Sequence, residues 1–193
     1  WLSYVNRCQA LLQSGLFVAD VLYYNGDGAP NLVEPKHVDP ALGKGYDYDV
    51  CNAEVLLTRV SVKAGRLVLP DGMSYRLLVL PDNKRMPVEV VRKLSDLVKA
   101  GATVIGPKPE SDPGLKNYPK CDVEVKKIAD KVWGACDGLQ VKQQTFGKGR
   151  VFWGKTLREI LLADRVMPDF EVSGPKNAFI DFIHRATPEA DFY

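Results

Sequence analysis

The sequence predicts an α/β protein: a doubly wound, mostly parallel sheet with helices on both faces and a short β tail at the C-terminus. Three observations carry that expectation. Short, nearly continuous apolar runs at Phe17–Tyr24, Arg76–Leu80 and Ala102–Gly106 read as strands buried on both faces. Segments with a 3.6-residue apolar period lie between and after them. Strands that alternate with helices from Phe17 to Ala163 imply parallel strands joined by covering helices. After Pro168 the alternation gives way to short strands, which predicts a boundary there.

Each element has its own local signal. Trp1 to Gly15 is predicted to be helical, with Trp1, Val5, Cys8 and Leu12 on one face and Tyr4 and Leu11 beside it. Gly15 suits a left-handed helix stop. Phe17–Tyr24 is expected as the first strand. Asn25–Lys44 is rich in Gly, Pro and Asp and is expected as a loop of a length often tied to function. Within it, Asn25-Gly26-Asp27-Gly28 reads as a turn and lacks the spacing of a calcium-binding hand. A helix is expected over Val50–Leu57, capped by Asp47 or Asp49. Asp71-Gly72 is a hairpin signal between strands at Leu67–Leu69 and Arg76–Leu80, and Val60–Lys63 adds another short strand.

Pro87 opens the clearest helix, at its first helical position. Val90, Val91, Leu94, Leu97 and Val98 form its apolar face, and Gly101 ends it. After the strand Ala102–Gly106 comes a Pro-rich loop over Pro107–Pro119. A helix capped by Asp122 follows, with Val125, Ile128, Ala129 and Val132 in period and Gly134 as its stop. Leu139–Gln143 and Arg150–Trp153 read as a hairpin across Phe146–Gly149. Thr156-Leu157-Arg158-Glu159 spells a capping box for a helix reaching Ala163. Phe170–Val172, Ala178–Arg185 and Asp191–Tyr193 are expected strands, with a turn at Thr187-Pro188-Glu189.

Composition excludes several function classes. The 193 residues suit one sizeable α/β domain, and the formal net charge is only +2. Lysines alternate with acids, so no phosphate-binding stripe forms and nucleic acid is not an expected partner. No apolar run approaches the roughly 20 residues of a membrane span, and no secretory leader opens the sequence. Phosphate-loop and dinucleotide fingerprints are absent. Cys8, Cys51, Cys121 and Cys136 match no metal or redox spacing. They read as free, partly buried thiols, with disulfide pairing left open.

The best site candidate is Tyr46-Asp47-Tyr48-Asp49, followed by Asn52. Two carboxylates and two aromatic rings in one loop could hydrogen-bond to and stack on a sugar, or hold a cation. Helix capping by one Asp and packing of the tyrosines is the competing account. His184 and Arg185 stand at a strand end, where surface or interdomain contact is expected. His37 has no identifiable partner. Gly134-Ala135-Cys136-Asp137-Gly138 spells G-x-C-x-G, but a helix precedes it and a strand follows, the reverse of a nucleophile elbow. The position after Arg76–Leu80, where such an elbow belongs, reads Pro81-Asp82-Asn83-Lys84. The late histidine, His184, has Ala186 rather than a glutamate two residues on. No carboxylate pair stands out for glycoside cleavage. No catalytic residue, metal site or cofactor is therefore assigned.

Several phrases together carry a family resemblance: Leu11–Gly15, Val18–Tyr24, Gly45–Glu54, Gly65–Asp82 and Ile183-His184-Arg185. They resemble the middle region of the large α-L-rhamnosidase-type enzymes of glycoside hydrolase family 106. The arrangement also resembles the class I glutamine-amidotransferase-like, or flavodoxin-like, fold. The resemblance implies that residues 1–15 are a helix left from a preceding catalytic barrel and that 16–167 form an amidotransferase-like α/β domain. It implies that 168–193 begin a following β domain and that the catalytic acids lie before Trp1. The expected role is a non-catalytic accessory domain of an exported bacterial enzyme, periplasmic or extracellular, that removes α-L-rhamnose from plant polysaccharides or glycosides. Its expected partners are neighbouring domains and carbohydrate, with no membrane. A carbohydrate-binding module and a divergent amidotransferase-like hydrolase using a cysteine are the two other readings.

Overall fold

The computed structural model describes residues 1–28, 38–174 and 180–193. In chain order it begins with α1 (Leu2–Gln13), β1 (Leu16–Phe17), β2 (Val21–Tyr24), β3 (Tyr48–Cys51) and α2 (Ala53–Thr58). Then come β4 (Ser61–Lys63), β5 (Arg66–Val68), β6 (Ser74–Tyr75), β7 (Leu77–Val79), α3 (Val88–Ala100) and β8 (Thr103–Ile105). The last are α4 (Lys120–Trp133), β9 (Gln143–Phe146), β10 (Gly149–Phe152), α5 (Leu157–Ala163), β11 (Arg185–Ala186) and β12 (Asp191–Phe192).

Six strands form the central sheet, in the order β3-β2-β7-β8-β10-β9. The first five run parallel, and β9 closes one edge antiparallel to β10. The sequence is apolar at consecutive strand positions because both faces are covered. Val21, Tyr23, Leu77, Val79, Ile105 and Phe152 point to one face, where Leu157, Ile160 and Leu161 of α5 meet them together with Leu42 and Tyr46. Leu22, Tyr24, Leu78, Leu80, Val104 and Val151 point to the other, under α2, α3 and α4. This is the period of two that a pleated strand imposes. Helices thus cover both faces, three against one, and the loop around Leu42 completes the thinner layer. Trp133 is fully buried at the end of α4, and its indole N–H donates to Gly106 O at 3.1 Å. That bond removes the cost of burying an unpaired donor.

Two small antiparallel sheets lie outside this core: β4-β5-β6 and β1-β11-β12. The second stitches the tail to the segment before the central sheet. Gly15 adopts φ +62°, and a Cβ there would stand 2.1 Å from Ala186 O. Only glycine allows this approach.

Several expectations need correction, each for a nonlocal reason. Phe17–Tyr24 is not one strand. Phe17 pairs with Arg185 in the tail sheet, and Val18 N bonds to His184 O, so the chain leaves one sheet before entering the next. Val50 belongs to a strand rather than a helix. Asn52, not Asp47 or Asp49, caps α2, its side chain accepting from Val55 N at 3.0 Å. Asp71-Gly72 joins β5 to β6, while Leu77–Val79 crosses into the central sheet.

Pro87 stands before α3 rather than in its first turn, and Val88 N donates to Asp112. Asp122 lies inside the first turn of α4, where it accepts from Asp112 N. The hairpin strand β9 starts at Gln143 because Asp137 gathers the amides of Leu139, Gln140 and Val141, each at 2.9 Å, into a loop. Phe170–Val172 and residues 180–184 form no strand. Ala178, Phe179 and His37 lie outside the described residues. All four cysteines are free.

The capping box at Thr156 and Glu159 is present, with both reciprocal bonds made. Thr156→Ala should therefore lower stability by about 1 kcal/mol. Leu94→Ala, at a site with no exposure, should lower it by about 2–5 kcal/mol. Urea denaturation checks both, and equal losses would contradict the assignment of Leu94 to the main core.

Candidate functional site

Polar groups collect at the two edges of the sheet, because its faces are apolar. At the amino edge, Asp20, Asp47 and Arg76 each stand one residue before a parallel strand. Asp20 N donates to Asp47 O, and Asp20 O accepts from Arg76 N and Leu77 N. Asp20 is 7% exposed and Asp47 6%. Burial pushes the Asp20 carboxyl up to about 6. The Asp169 carboxylate adds to the rise, while Arg66, Arg76 and His184 oppose it.

The tail reaches the same edge. His184 is 6% exposed. Its Nε2 lies 2.9 Å from Asp191 Oδ1, its Nδ1 lies 3.3 Å from Asp169 Oδ2, and its ring stacks on Tyr193 with centroids 4.4 Å apart. Arg185 donates to Ser14 O and Gly15 O at 2.8 and 2.7 Å. His184 and Arg185 thus hold the tail against Asp169, Asp191 and the end of α1. Sequence reading missed Asp20, Arg66, Arg76 and Asp169. The one available signal was a carboxylate immediately before a fully apolar strand.

The Tyr46–Asn52 segment is divided by the fold. Tyr46, Asp47 and Tyr48 line a cavity of about 160 Å³ together with Val38, Ala41, Leu42 and Gly43. Tyr46 OH donates to Val166 O at 2.9 Å, and the Arg158 guanidinium lies over its ring. Asp47 accepts from Tyr48 N. Asp49 points elsewhere and accepts from Tyr75 OH at 2.8 Å. Asn52 is spent on α2. Three of the five residues therefore share a cavity.

A second cleft, of about 220 Å³, opens at the carboxyl edge. It spans the ends of β7, β8 and β10, with Leu80 and Asp82, Ile105 to Pro107, and Trp153 to Lys155 as walls and Asp39-Pro40 across from them. Sequence reading passed over Trp153-Gly154-Lys155, whose signal was an aromatic and a glycine directly after a buried strand.

The cysteine chemistry of an amidotransferase does not fit. Burial pushes the Cys51 thiol up to about 12 and raises Cys136 as well, so neither is a ready nucleophile. Cys136 follows α4 and leads into a loop. Among the described residues, no three His, Cys, Asp or Glu side chains are placed to hold a metal ion, and no helix is long and apolar enough to cross a membrane.

Residues 1–193 match the family model of glycoside hydrolase family 106, described as alpha-L-rhamnosidase, and the chain belongs to that family. It is 36% identical over 197 residues to a protein of Formosa agariphila named "Putative beta-glucuronidase", covering all of this chain and 15% of that protein. It is also similar to the solved rhamnosidase of Novosphingobium sp. PP1Y, at 30% identity with a TM-score of 0.83, over 99% of this chain and 18% of that one. The chain thus spans less than a fifth of the length of these relatives.

The Asp20 edge gives a pH prediction. Asp20 ionises near 3.8 in the unfolded chain and near 6 in the fold. Between those values the unfolded state loses its proton first, so Asp20 lowers stability as pH rises from about 4 to about 6 and adds nothing further above that. Asp20→Asn removes the effect. Relative to the parent, the variant should gain of order 2–3 kcal/mol between pH 4 and pH 7.5. Denaturation at the two pH values tests this, and a pH-independent difference would refute the buried-carboxyl account.

Proposed function

We propose that this chain is a non-catalytic accessory unit of a glycoside hydrolase, an exported bacterial α-L-rhamnosidase acting on plant glycans in the periplasm or outside the cell. Its role is to brace a neighbouring catalytic barrel. The observation that carries the reading is the state of α1. None of its residues is buried, and Trp1 and Tyr4 are 90% and 56% exposed, with Leu2, Leu11 and Leu12 beside them. Apolar surface of this extent on one helix marks a contact site. More than four-fifths of each relative lies outside the matching segment, so a partner domain is available to cover it.

Three further points support the proposal. The parallel strands stand in the chain order second, first, third, fourth, fifth. This is the winding of flavodoxin-like sheets, in keeping with an amidotransferase-like domain over 16–167. The tail at 168–193 departs from that pattern, as the start of a further β unit would. Relatives named for two different sugars also carry this unit along its whole length, which favours a structural role over one that selects the cleaved sugar. The buried thiols give a cysteine hydrolase no support.

The test is a surface variant measured in two contexts. Tyr4 and Leu11, seven residues apart, share one side of α1. Tyr4→Glu/Leu11→Lys places each charge favourably for the helix dipole, so the isolated chain should change by no more than about 0.5 kcal/mol. In the full-length protein the same pair should cost about 3–5 kcal/mol, the value of two buried apolar side chains. Equal small effects in both contexts would remove the bracing role.

A further inference from the structure

We propose that the cleft at the carboxyl edge of the sheet is a binding subsite for one pyranose unit of a glycan. The inference rests on the reading that this chain serves a glycoside hydrolase, and it names what the unit holds. Open parallel sheets take ligands beyond the carboxyl ends of their strands, and this cleft lies across three such ends, those of β7, β8 and β10. Its volume of about 220 Å³ is the share of about seven waters. That matches a single sugar ring and falls below the scale of a drug-sized or dinucleotide ligand.

The lining chemistry fits a ring with hydroxyls on its rim. Leu80, Ile105, Pro40 and Pro107 supply apolar walls. Asp39, Asp82 and Lys155 are exposed at the mouth. None of the three makes an ion pair or side-chain hydrogen bond among the described residues, although both signs of charge are present. Lys155 Nζ instead rests 5.1 Å from the Phe152 ring centroid. Carboxylates accept from hydroxyls and an ammonium donates to them, so this set can bind a polyol where it could not neutralise a phosphate.

Trp153 is held in place. A Cβ on Gly138 would stand 2.7 Å from its indole, and Lys84 Nζ lies 5.8 Å from its ring centroid, anchored by an ion pair with Glu110 at 2.7 Å. The indole N–H has no partner among the described residues and is a further donor for the ligand. Placing it costs no new ordering on binding, the usual advantage of a rigid aromatic wall.

The chain has three tryptophans, which makes the test direct. The indole N–H signals of the ¹⁵N-labelled chain are followed while methyl α-L-rhamnoside, methyl β-D-glucuronide or the open-chain polyol sorbitol is added. Trp153→Phe assigns the signal, and buried Trp133 serves as the folded-state reference. The Trp153 signal should move saturably with at least one glycoside, at a dissociation constant of ~1–10 mM, while Trp1 and Trp133 stay fixed. Asp82→Ala/Lys155→Ala should weaken that binding about fivefold or more. A Trp153 signal that ignores both glycosides, follows sorbitol equally, or shifts unchanged in the double variant would overturn the subsite. If the full-length protein cleaves an aryl α-L-rhamnoside while the signal stays silent, the subsite alone fails. If the signal moves and no glycoside is cleaved, the subsite stands and the glycosidase reading fails.

Discussion

Burial of the central parallel sheet on both faces is the constraint on which the rest of the molecule depends. Strands β2, β7, β8 and β10 carry apolar side chains at consecutive positions, and neither set survives in water unless a layer covers it. One face takes three helices, the other takes α5 and the loop at Leu42 and Tyr46. With both faces closed, the buried carboxylates Asp20 and Asp47 stand at strand ends. At the amino edge His184 brings the tail together through Asp169 and Asp191, beside buried Asp20. At the carboxyl edge Asp82 and Lys155 stand around a cleft. The division of labour between the edges follows from the way the core is filled.

The parts of the fold legible in the sequence are those set by local pattern. The 3.6-residue periods of α3 and α4, the stop at Gly101 and the Thr156–Glu159 box all depend on residues within a few positions of one another. The parts that were not legible depend on distant partners. Asp49 looks like a helix cap until Tyr75, 26 residues away, claims it. Phe17–Tyr24 looks like one strand until Arg185 and His184 draw its first residues into another sheet. The same reason divides the Tyr46–Asn52 cluster. Tyr48 and Asp49, adjacent on β3, point to opposite faces, and Asn52 beyond the strand caps α2. The carboxyl-edge cleft is assembled from four separate segments and no local motif announces it, although glycine at 106 and 154 marks where the chain turns away from β8 and β10.

The family resemblance carried by short phrases in the sequence is matched by the family comparison over the whole chain. What belongs to the fold is clear in physical terms: buried thiols at Cys51, Cys121 and Cys136, tyrosines pegging loops through Val166, Asp27 and Asp49, and a helix with exposed apolar residues. Relatives named for different sugars match this chain over nearly its whole length.

The most direct test of the central claim is to assay this chain alone, beside the full-length protein, for release of 4-nitrophenol from 4-nitrophenyl α-L-rhamnoside. The account predicts turnover by the full-length protein and none above the uncatalysed rate by the chain. Turnover by the chain alone would place catalytic groups within these 193 residues and contradict the accessory role.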